Sequence, residues 1–209
     1  MRVLGLTGGI AMGKSTAARQ LRRLGLPLHD ADAAVHRLYA KGGPAVPAIR
    51  ARFPEAVVEG RVDRQVLGRL VFGRPDELRA LERILHPLVR QAARRFLWRE
   101  ALRGRRLVAL DIPLLFETGG ERLCDFVVVV SAPAFLQRQR ALRRPGMTAA
   151  KLDAILARQT PDPVKRRRAD AVVPTGLGYG FALRHLKRAV RLAGKAPRRA
   201  WPPTPGRRR

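Results

Sequence analysis

The amino-acid sequence predicts an α/β fold built on a doubly wound, parallel, five-stranded sheet. Short and almost continuous apolar runs, such as residues 126–130, alternate with segments of helical spacing. This alternation is typical of parallel strands that are covered on both faces. The first apolar run leads directly into a glycine-rich loop at residues 8–13. Ligands of such sheets bind at the carboxyl ends of the strands, so we expect the functional residues there.

The individual elements follow from apolar spacing and from the glycines and prolines that interrupt it. Strands are expected at residues 2–7, 26–30, 107–112, 126–131 and 171–173. Helices are expected at residues 14–24, 31–39, 63–72, 75–102, 134–144, 149–159 and 183–192. Pro87 is expected to break or bend the longest helix, because a proline inside a helix removes a backbone hydrogen bond.

These elements predict a core that carries a helical substrate-binding lobe and a lid. The core is assigned to residues 1–35, 104–137 and 169–193, the lobe to residues 36–103 and the lid to residues 138–168. The basic, interrupted helices of the lid region suit a segment that closes over a nucleotide and excludes water. Residues 194–209 hold four prolines and six Lys or Arg residues, a composition that predicts a disordered basic tail.

The charge of the chain is strongly positive and comes mostly from arginine. The 209 residues carry a formal net charge of +27, and 37 of the 43 basic residues are Arg. Such a charge favours nucleic-acid binding. Aromatic residues, however, make up only 5% of the chain, which argues against a stacking platform for single strands. We therefore expect no specific nucleic-acid partner and only incidental binding of polyanions at low salt.

The apolar runs and the cysteine count point to a protein of the cytoplasm. Every apolar run is far shorter than the roughly 18 residues that a membrane span needs, so no membrane association is expected. The chain starts directly in a strand, which leaves no room for a secretory signal. Cys124 is the single cysteine. An internal disulfide is therefore excluded, and the thiol is expected to be a small buried group rather than a nucleophile.

The glycine-rich loop matches the phosphate-binding motif G-x-x-x-x-G-K-[ST], the P-loop, and lies between a strand and a helix as that motif requires. Backbone N–H groups at such a helix start form a concave site for anions. Lys14 can reach the β- and γ-phosphates of ATP, and the Ser15 hydroxyl can ligate Mg²⁺. The residues expected to bind the nucleotide here are Gly8, Gly9, Ile10, Ala11, Met12, Gly13, Lys14 and Ser15.

Two carboxylates follow the second predicted strand, at Asp30 and Asp32. This is where a parallel sheet of this class brings side chains towards the phosphate loop. Asp32 could accept the proton of an acceptor hydroxyl or hold the metal through water. Either residue could instead be the N-cap of the helix that starts at Ala31, a common role for Asp. At least one of the two is expected to act in catalysis.

Basic residues follow the strand at residues 126–131. Arg140 and Arg144 are four residues apart, which would place them on one face of a helix. Phosphoryl transfer needs cations for the charge of its transition state, and these residues could supply them. In a chain with so much arginine, a solvated basic face is the alternative interpretation.

Several segments together resemble the dephospho-CoA kinase family, in the right order over about residues 3–192. The phosphate loop with Thr16, the Asp30-Ala31-Asp32 segment and His36 carry the resemblance near the start. Further matches are Glu82, Ile84, Leu85-His86-Pro87, the exit segment from Asp111 to Glu117, Gln137, Arg140, Arg144 and Ala169-Asp170. The combination is specific, whereas the phosphate loop alone is shared by many families.

The resemblance implies a kinase of the last step of coenzyme A synthesis. Such an enzyme moves the γ-phosphoryl group of ATP to the ribose 3′-hydroxyl of dephospho-CoA. Asp32 matches the family's catalytic base, and Lys14 and Arg140 match its charge stabilisers. The resemblance places dephospho-CoA at the helical lobe and the 111–117 exit, which implies substrate contacts for Asp30, His36, His86, Pro113 and Leu114. A monomer that uses ATP and Mg²⁺ is expected.

Two positions depart from the family pattern. Ala11-Met12 stands where the family usually has Gly-Ser, and Thr175 stands where it often has Asn. If position 11 needs a positive φ, alanine costs roughly 1 kcal/mol there. The motif leaves that position free, so the loop is still expected to be active. The change from Asn to Thr at position 175 affects the side of the site where the family contacts the adenine of ATP.

Two other functions remain compatible with the motifs. Another small-metabolite or nucleoside kinase of the same fold would differ in the acceptor that it phosphorylates. A nucleic-acid-binding protein that uses the phosphate loop for regulation is favoured by the net charge and the tail, and disfavoured by the absence of a nucleic-acid motif.

Overall fold

The structure is a computed structural model that describes residues 1–200. It contains two compact units, which we call the core unit and the inserted unit. Of the described residues, the core unit contains 1–29 and 100–200, and the inserted unit contains 30–99. The sequence placed these boundaries a few residues later, at 35/36 and 103/104.

The strands form a parallel sheet and a small hairpin. In chain order they are β1 (Arg2–Thr7), β2 (Leu28–Asp30), β3 (Val57–Val58), β4 (Arg61–Val62), β5 (Leu107–Asp111), β6 (Phe126–Ser131) and β7 (Ala171–Pro174). Five of them form one sheet in the order β2-β5-β1-β6-β7. Strand β1 lies in the centre, where Leu4 is in register with Ala109 of β5 and with Phe126 of β6. The predicted five-stranded α/β fold is confirmed.

The helices are α1 (Lys14–Arg23), α2 (Ala31–Tyr39), α3 (Val46–Arg52), α4 (Arg64–Val71), α5 (Pro75–Leu102), α6 (Ala134–Leu142), α7 (Ala149–Ala157), α8 (Asp162–Arg168) and α9 (Tyr179–Ala193). Pro87 lies inside α5 and does not end it. Of the two outcomes expected at Pro87, a break is excluded, and a bend is compatible with the continuous helix. A helix of 28 residues can lose one backbone hydrogen bond because the packing of its apolar face holds it together.

Both faces of the core sheet are buried, and β6 shows this most clearly. Val128 and Val130 pack with residues of α1 and α9 on one face, whereas Val127 and Val129 pack with Leu115 and Phe116 on the other. Side chains alternate along a strand, so a strand covered on both sides reads as a continuous apolar run. This explains the unbroken valines of β6.

The inserted unit has its own apolar core. Leu38, Ile49, Phe53 and Leu67 are buried there, and residues of α5 pack against them. The hairpin of β3 and β4 in this unit was not predicted. Its strands have two residues each, which is too short for an alternating pattern to be visible in the sequence.

The first residues of the predicted tail are attached to the core unit. Arg2 Nε donates a hydrogen bond of 2.6 Å to the Ala196 carbonyl, and the Ala200 N–H donates one of 2.7 Å to the Asp125 carboxylate. The Arg199 N–H also donates to Asp125. The expected disorder therefore does not extend to residues 194–200, because buried Asp125 accepts their backbone donors. The expectation for residues 201–209 falls outside the described residues.

Candidate active site

The phosphate loop joins the end of β1 to the start of α1, as the motif predicts. Gly13 is the residue before the helix, and its φ of +93° is in the left-handed region that favours glycine. At Gly8 a Cβ would lie 2.4 Å from Val130 Cγ2, so no side chain fits there. Ala11 has a φ of +59°. It therefore takes the strained conformation considered above, at a cost of about 1 kcal/mol.

Side chains from distant parts of the core unit hold the loop backbone in place. Gln137 Nε2 donates to the Ile10 carbonyl at 3.0 Å, and the Ile10 N–H donates to Gln159 Oε1 at 3.1 Å. Both glutamines come from the region after β6, so two elements of that region fix one residue of the loop. These two hydrogen bonds fix Ile10 and thereby help to keep the neighbouring Ala11 in its strained backbone conformation.

Met12 is buried and anchors the loop to the sheet. Its sulfur accepts a hydrogen bond of 3.1 Å from the Ala132 N–H, and its carbonyl accepts one of 2.8 Å from the Thr175 hydroxyl. A serine at position 12, as in the family pattern, could not fill the same space. The departure from that pattern thus has a structural role on the side of the loop that faces the core.

Lys14 and Asp111 form the charged centre beside the loop. Lys14 Nζ lies 2.7 Å from Asp111 Oδ1, and the Asp111 side chain is almost completely buried. Asp111 is the last residue of β5, the strand next to β1. The sheet therefore brings an acid and the phosphate-binding lysine together at the carboxyl ends of two neighbouring strands.

Ser15 and Thr16 occupy the first turn of α1. Ser15 is exposed, and Thr16 is half-buried. The Thr16 N–H donates to the Gly13 carbonyl at 3.1 Å, which closes that turn. The Ser15 hydroxyl therefore faces solvent at the helix start, where the positive end of the helix dipole favours anions.

Arg140 is fixed next to the loop, and Arg144 is not on the same helix. Arg140 Nη2 donates to the Thr175 carbonyl at 2.8 Å, and Nη1 donates to the Thr175 hydroxyl at 3.2 Å. Because Thr175 also holds Met12, the guanidinium is linked to the loop through one side chain. Arg144 is exposed and lies beyond the end of α6. The expected shared helix face is therefore wrong, because the helix ends before the second arginine.

A cavity of about 340 Å³ opens beside the loop. Residues of α1, β7 and α9 line it together with Arg140 of α6. The lining residues are Gly13, Thr16, Ala17, Gln20, Arg140, Val173, Thr175, Gly178, Tyr179 and Ala182. The volume falls in the range of roughly 300–1,000 Å³ that is usual for small-molecule sites.

Two predicted site residues of the inserted unit start helix α2. Asp30 is the N-cap, since its carboxylate accepts a hydrogen bond of 3.0 Å from the Ala33 N–H. Asp32 lies in the first turn and is exposed. Within the inserted unit, no side chain or backbone donor is bonded to the Asp32 carboxylate. The N-cap alternative therefore holds for Asp30 and not for Asp32.

The two predicted histidines of this unit lie on different helices. His36 is exposed on α2, with Nε2 at 2.7 Å from Arg64 Nη1 of α4. His86 is half-buried on α5, next to Pro87. Since Arg64 can only donate, the neutral His36 ring offers it an acceptor nitrogen. The sequence did not indicate this pair.

The exit segment after β5 is tied to the core at both ends. The Thr7 hydroxyl donates to the Pro113 carbonyl at 3.0 Å, and Leu114 is 41% exposed. Further on, Glu117 Oε1 lies 2.9 Å from Nζ of Lys165, whose side chain is completely buried. Burial alone would raise the pKa of Glu117, but hydrogen bonds from Lys165 and from the Thr160 N–H outweigh it and lower that pKa.

Cys124 has the structural role that the sequence predicts. Its sulfur would lie 2.6 Å from a Cβ at Gly5, so the thiol packs tightly against the central strand. Burial, and after it the negative charges of Asp125 and Glu121, raise the pKa of this thiol far above its ordinary value. The nucleophilic form is therefore disfavoured.

The phosphate loop, its lysine and the strand order of the sheet define a kinase of the P-loop fold. The family model described as dephospho-CoA kinase matches residues 2–176 of the chain. The chain therefore belongs to the dephospho-CoA kinase family, whose members are ATP-dependent phosphotransferases. The resemblance drawn from the motifs is thereby confirmed.

Curated relatives and solved structures agree with this assignment. A dephospho-CoA kinase of Rhodospirillum rubrum is 59% identical over 199 residues, which is 94% of each chain. A crystal structure of a Thermus thermophilus protein has a TM-score of 0.77 at 39% identity and covers 91% of this chain and 96% of its own. A dephospho-CoA kinase structure from Campylobacter jejuni, with a TM-score of 0.70 at 24% identity, covers 93% of this chain and 98% of its own and supports the fold.

No role in the site was assigned from the sequence to Asp111, Gln159 or Gln20, whereas Gln137 and Thr175 entered as positions compared with the family pattern. Asp111 had a usable signal, because an acid at the end of a buried strand lies at the binding edge of a parallel sheet. Gln159 had none, since it reaches Ile10 across 149 positions of the chain.

Among residues 1–200, no helix is long and apolar enough to cross a membrane.

Proposed function

We propose that the protein transfers the γ-phosphoryl group of ATP to the ribose 3′-hydroxyl of dephospho-CoA, which yields coenzyme A and ADP. The observation that carries this proposal is the supported phosphate loop with Lys14 paired to Asp111, in a chain that matches the dephospho-CoA kinase family over most of its length. The phosphate loop supports ATP as the phosphoryl donor, and the family supports dephospho-CoA as the acceptor.

The nucleotide site lies entirely in the core unit. The triphosphate binds the backbone N–H groups of residues 8–16, and Lys14 exchanges its carboxylate partner for phosphate oxygens. The nucleoside enters the cavity between Thr16 and Tyr179. In this arrangement Asp111 holds the Lys14 side chain in place before ATP arrives.

The oxygen donors beside the loop fit Mg²⁺. The Ser15 hydroxyl and the Asp111 carboxylate are hard oxygen ligands, which this ion prefers. They would hold it together with the phosphates, and Asp32 is the further candidate that the sequence supplies. The bound ion adds positive charge at the β- and γ-phosphates.

Arg140 adds charge on the side of the transferred group. A guanidinium has five N–H donors, and the two contacts to Thr175 leave others for phosphate oxygens. Because Thr175 holds the guanidinium beside the loop, little side-chain entropy is lost when it acts. Arg144, which is exposed beyond α6, adds a positive charge to the predicted lid region.

Asp32 accepts the proton of the 3′-hydroxyl as the phosphoryl group leaves ATP. Asp30 is committed to the N-cap of α2, which leaves Asp32 as the available carboxylate of the pair. Its exposure within the inserted unit suits a group that must meet a substrate.

His36, His86, Pro113 and Leu114 contact dephospho-CoA. The lobe and lid assignments, a monomeric state and a cytoplasmic location belong to the same proposal.

The test is Mg²⁺- and ATP-dependent turnover of dephospho-CoA beside AMP, adenosine and shikimate as acceptors. We expect conversion of dephospho-CoA alone, with the new phosphate on the 3′-oxygen. Binding of ATP without transfer to dephospho-CoA would refute the acceptor. Transfer to adenosine or shikimate at a comparable rate would instead indicate another kinase of the same fold.

A further inference from the structure

Gln20 has a buried amide nitrogen without a hydrogen-bond partner in the described part of the chain. The side chain lies in the second turn of α1, and only 2% of its surface is exposed. Nε2 of this amide is buried and has no hydrogen-bond partner among residues 1–200. A buried amide without a partner costs roughly 1–3 kcal/mol. Such a group needs an explanation beyond packing, because methionine or leucine would fill the same space without that cost.

The position of Gln20 supplies the explanation. It lines the cavity beside the phosphate loop, together with Thr16 one turn earlier on the same helix. Two other polar groups of the wall have protein partners: Arg140 donates to Thr175, and the Thr175 hydroxyl donates to the Met12 carbonyl. The Nε2 donor of Gln20, which has no partner among residues 1–200, is available to a bound molecule.

We propose that Gln20 is a specificity-determining residue that reads the base of the nucleoside triphosphate and favours adenine. This inference rests on the proposed function, since it places the nucleoside of ATP in the cavity. The triphosphate is fixed at the loop by residues 8–16, and Gln20 follows them on α1. The base is thus the part of the nucleotide that reaches the amide.

The hydrogen-bonding pattern of a carboxamide matches adenine. Glutamine offers a carbonyl acceptor beside an NH₂ donor, and adenine offers its 6-amino donor beside the acceptor N7, so two hydrogen bonds form at once. On the same edge guanine presents two acceptors, O6 and N7, and no donor. At least one of the two bonds is then lost, and a polar group is left unpaired.

The test uses Gln20→Met, which removes the amide and keeps the length of the side chain. ATP, GTP and inorganic tripolyphosphate are titrated by calorimetry into the natural chain and the variant, without any acceptor. Gln91→Met, an exposed position on α5, is the matched control. Gln20→Leu gives a second apolar variant in case Gln20→Met does not fold.

We expect the ATP affinity of Gln20→Met to fall about tenfold, within the range of a two-bond base contact. The affinity for GTP should change far less, and that for tripolyphosphate should not change. The melting temperature should stay the same or rise, because an unpaired buried amide has been removed. A residue with only a structural role would lower the melting temperature and leave the ATP-to-GTP ratio unaltered.

Three results would overturn the inference: an unchanged ATP affinity, an equal loss for ATP and GTP, or a loss for tripolyphosphate as large as that for ATP. Because no acceptor is present, these outcomes are independent of the proposed function. Turnover of dephospho-CoA by the natural chain tests that function separately.

Discussion

The phosphate loop and the start of helix α2 hold the residues to which we assign binding and proton transfer, and the two segments are built very differently. In the loop, Ile10 and Met12 are each fixed by two partners from distant parts of the core unit. At the start of α2, the Asp30 carboxylate caps the helix through the Ala33 N–H, and Asp32 is exposed. The loop is thus held by contacts across the core unit, whereas the start of α2 presents an exposed carboxylate.

This difference follows from the chemistry of the two sides. Stabilising a triphosphate requires several hydrogen-bond donors in fixed positions. Donors that are already oriented stabilise the charge without any reorganisation of the protein. Accepting a proton requires one carboxylate that can reach the substrate. Binding and transfer should therefore be separable by mutation, and the substitutions below are ordered by the size of the expected effect.

Lys14→Ala should have the largest effect, because it removes the side-chain cation of the loop that we assign to the phosphates. We expect kcat to fall about 10³-fold and the affinity for ATP to fall as well. The measurement is steady-state turnover together with calorimetric titration of ATP. An unaltered ATP affinity would contradict the assigned role of Lys14.

Asp32→Asn should remove most of the turnover with little effect on the nucleotide. The amide cannot accept the hydroxyl proton, so kcat should fall about 10³-fold, within the usual range for general base catalysis. Asp30→Asn is the matched control, since asparagine is also a good N-cap and keeps helix α2. Near-normal turnover in Asp32→Asn would show that Asp32 is not the general base.

Glu117→Gln should destabilise the core unit by about 3 kcal/mol, because it leaves the completely buried Lys165 without its charged partner. Urea unfolding at neutral pH measures this difference. The double variant Glu117→Leu/Lys165→Met should recover much of the loss, since it removes both charges. A loss below about 0.5 kcal/mol, as is usual for surface positions, would show that the pair does not act as a buried one.

The same pair predicts how stability depends on pH. The pKa of Glu117 is lower in the folded chain than its ordinary value of 4.5. The contribution of the Glu117 carboxylate to the free energy of unfolding is therefore complete above pH 4.5. It is lost as the pH falls through the lower pKa that this group has in the folded chain. The natural chain and Glu117→Gln should thus converge in stability in acid. A difference that stays constant down to strongly acidic pH would argue against this cause.

Ala11→Gly should have the smallest effect and the opposite sign. Glycine accepts the positive φ of position 11, so the free energy of unfolding should rise by up to about 1 kcal/mol. Ala154→Gly, at an exposed position within α7, should instead lower it by about 1 kcal/mol. Equal destabilisation by both substitutions would show that Ala11 is not strained.

The sequence predicts the loop well because its constraints are local. Gly8, Gly13, Lys14 and Ser15 are close together in the chain, so their spacing alone determines how they are arranged in the site. The strands are equally readable, since β6 is a continuous apolar run that is buried on both faces. The end of α6 was placed two residues too late, although Pro145 disfavours helical backbone at the preceding Arg144. The span of α5 was predicted correctly, and the packing of its apolar face holds the helix together at Pro87.

The supporting contacts lie beyond the reach of sequence reasoning. Gln159 reaches Ile10 across 149 positions of the chain, and no local pattern encodes such a distance. The division of roles between Asp30 and Asp32 was left open for a related reason. Both residues suit an N-cap, and only the hydrogen bond to Ala33 shows which of them is the cap.

The most direct test of the separation between binding and transfer is to measure ATP affinity and dephospho-CoA turnover in parallel for Lys14→Ala and Asp32→Asn. We predict that Lys14→Ala loses both quantities, whereas Asp32→Asn loses turnover and keeps the ATP affinity of the natural chain. A matching loss of ATP affinity in the two variants, or normal turnover in Asp32→Asn, would contradict the account.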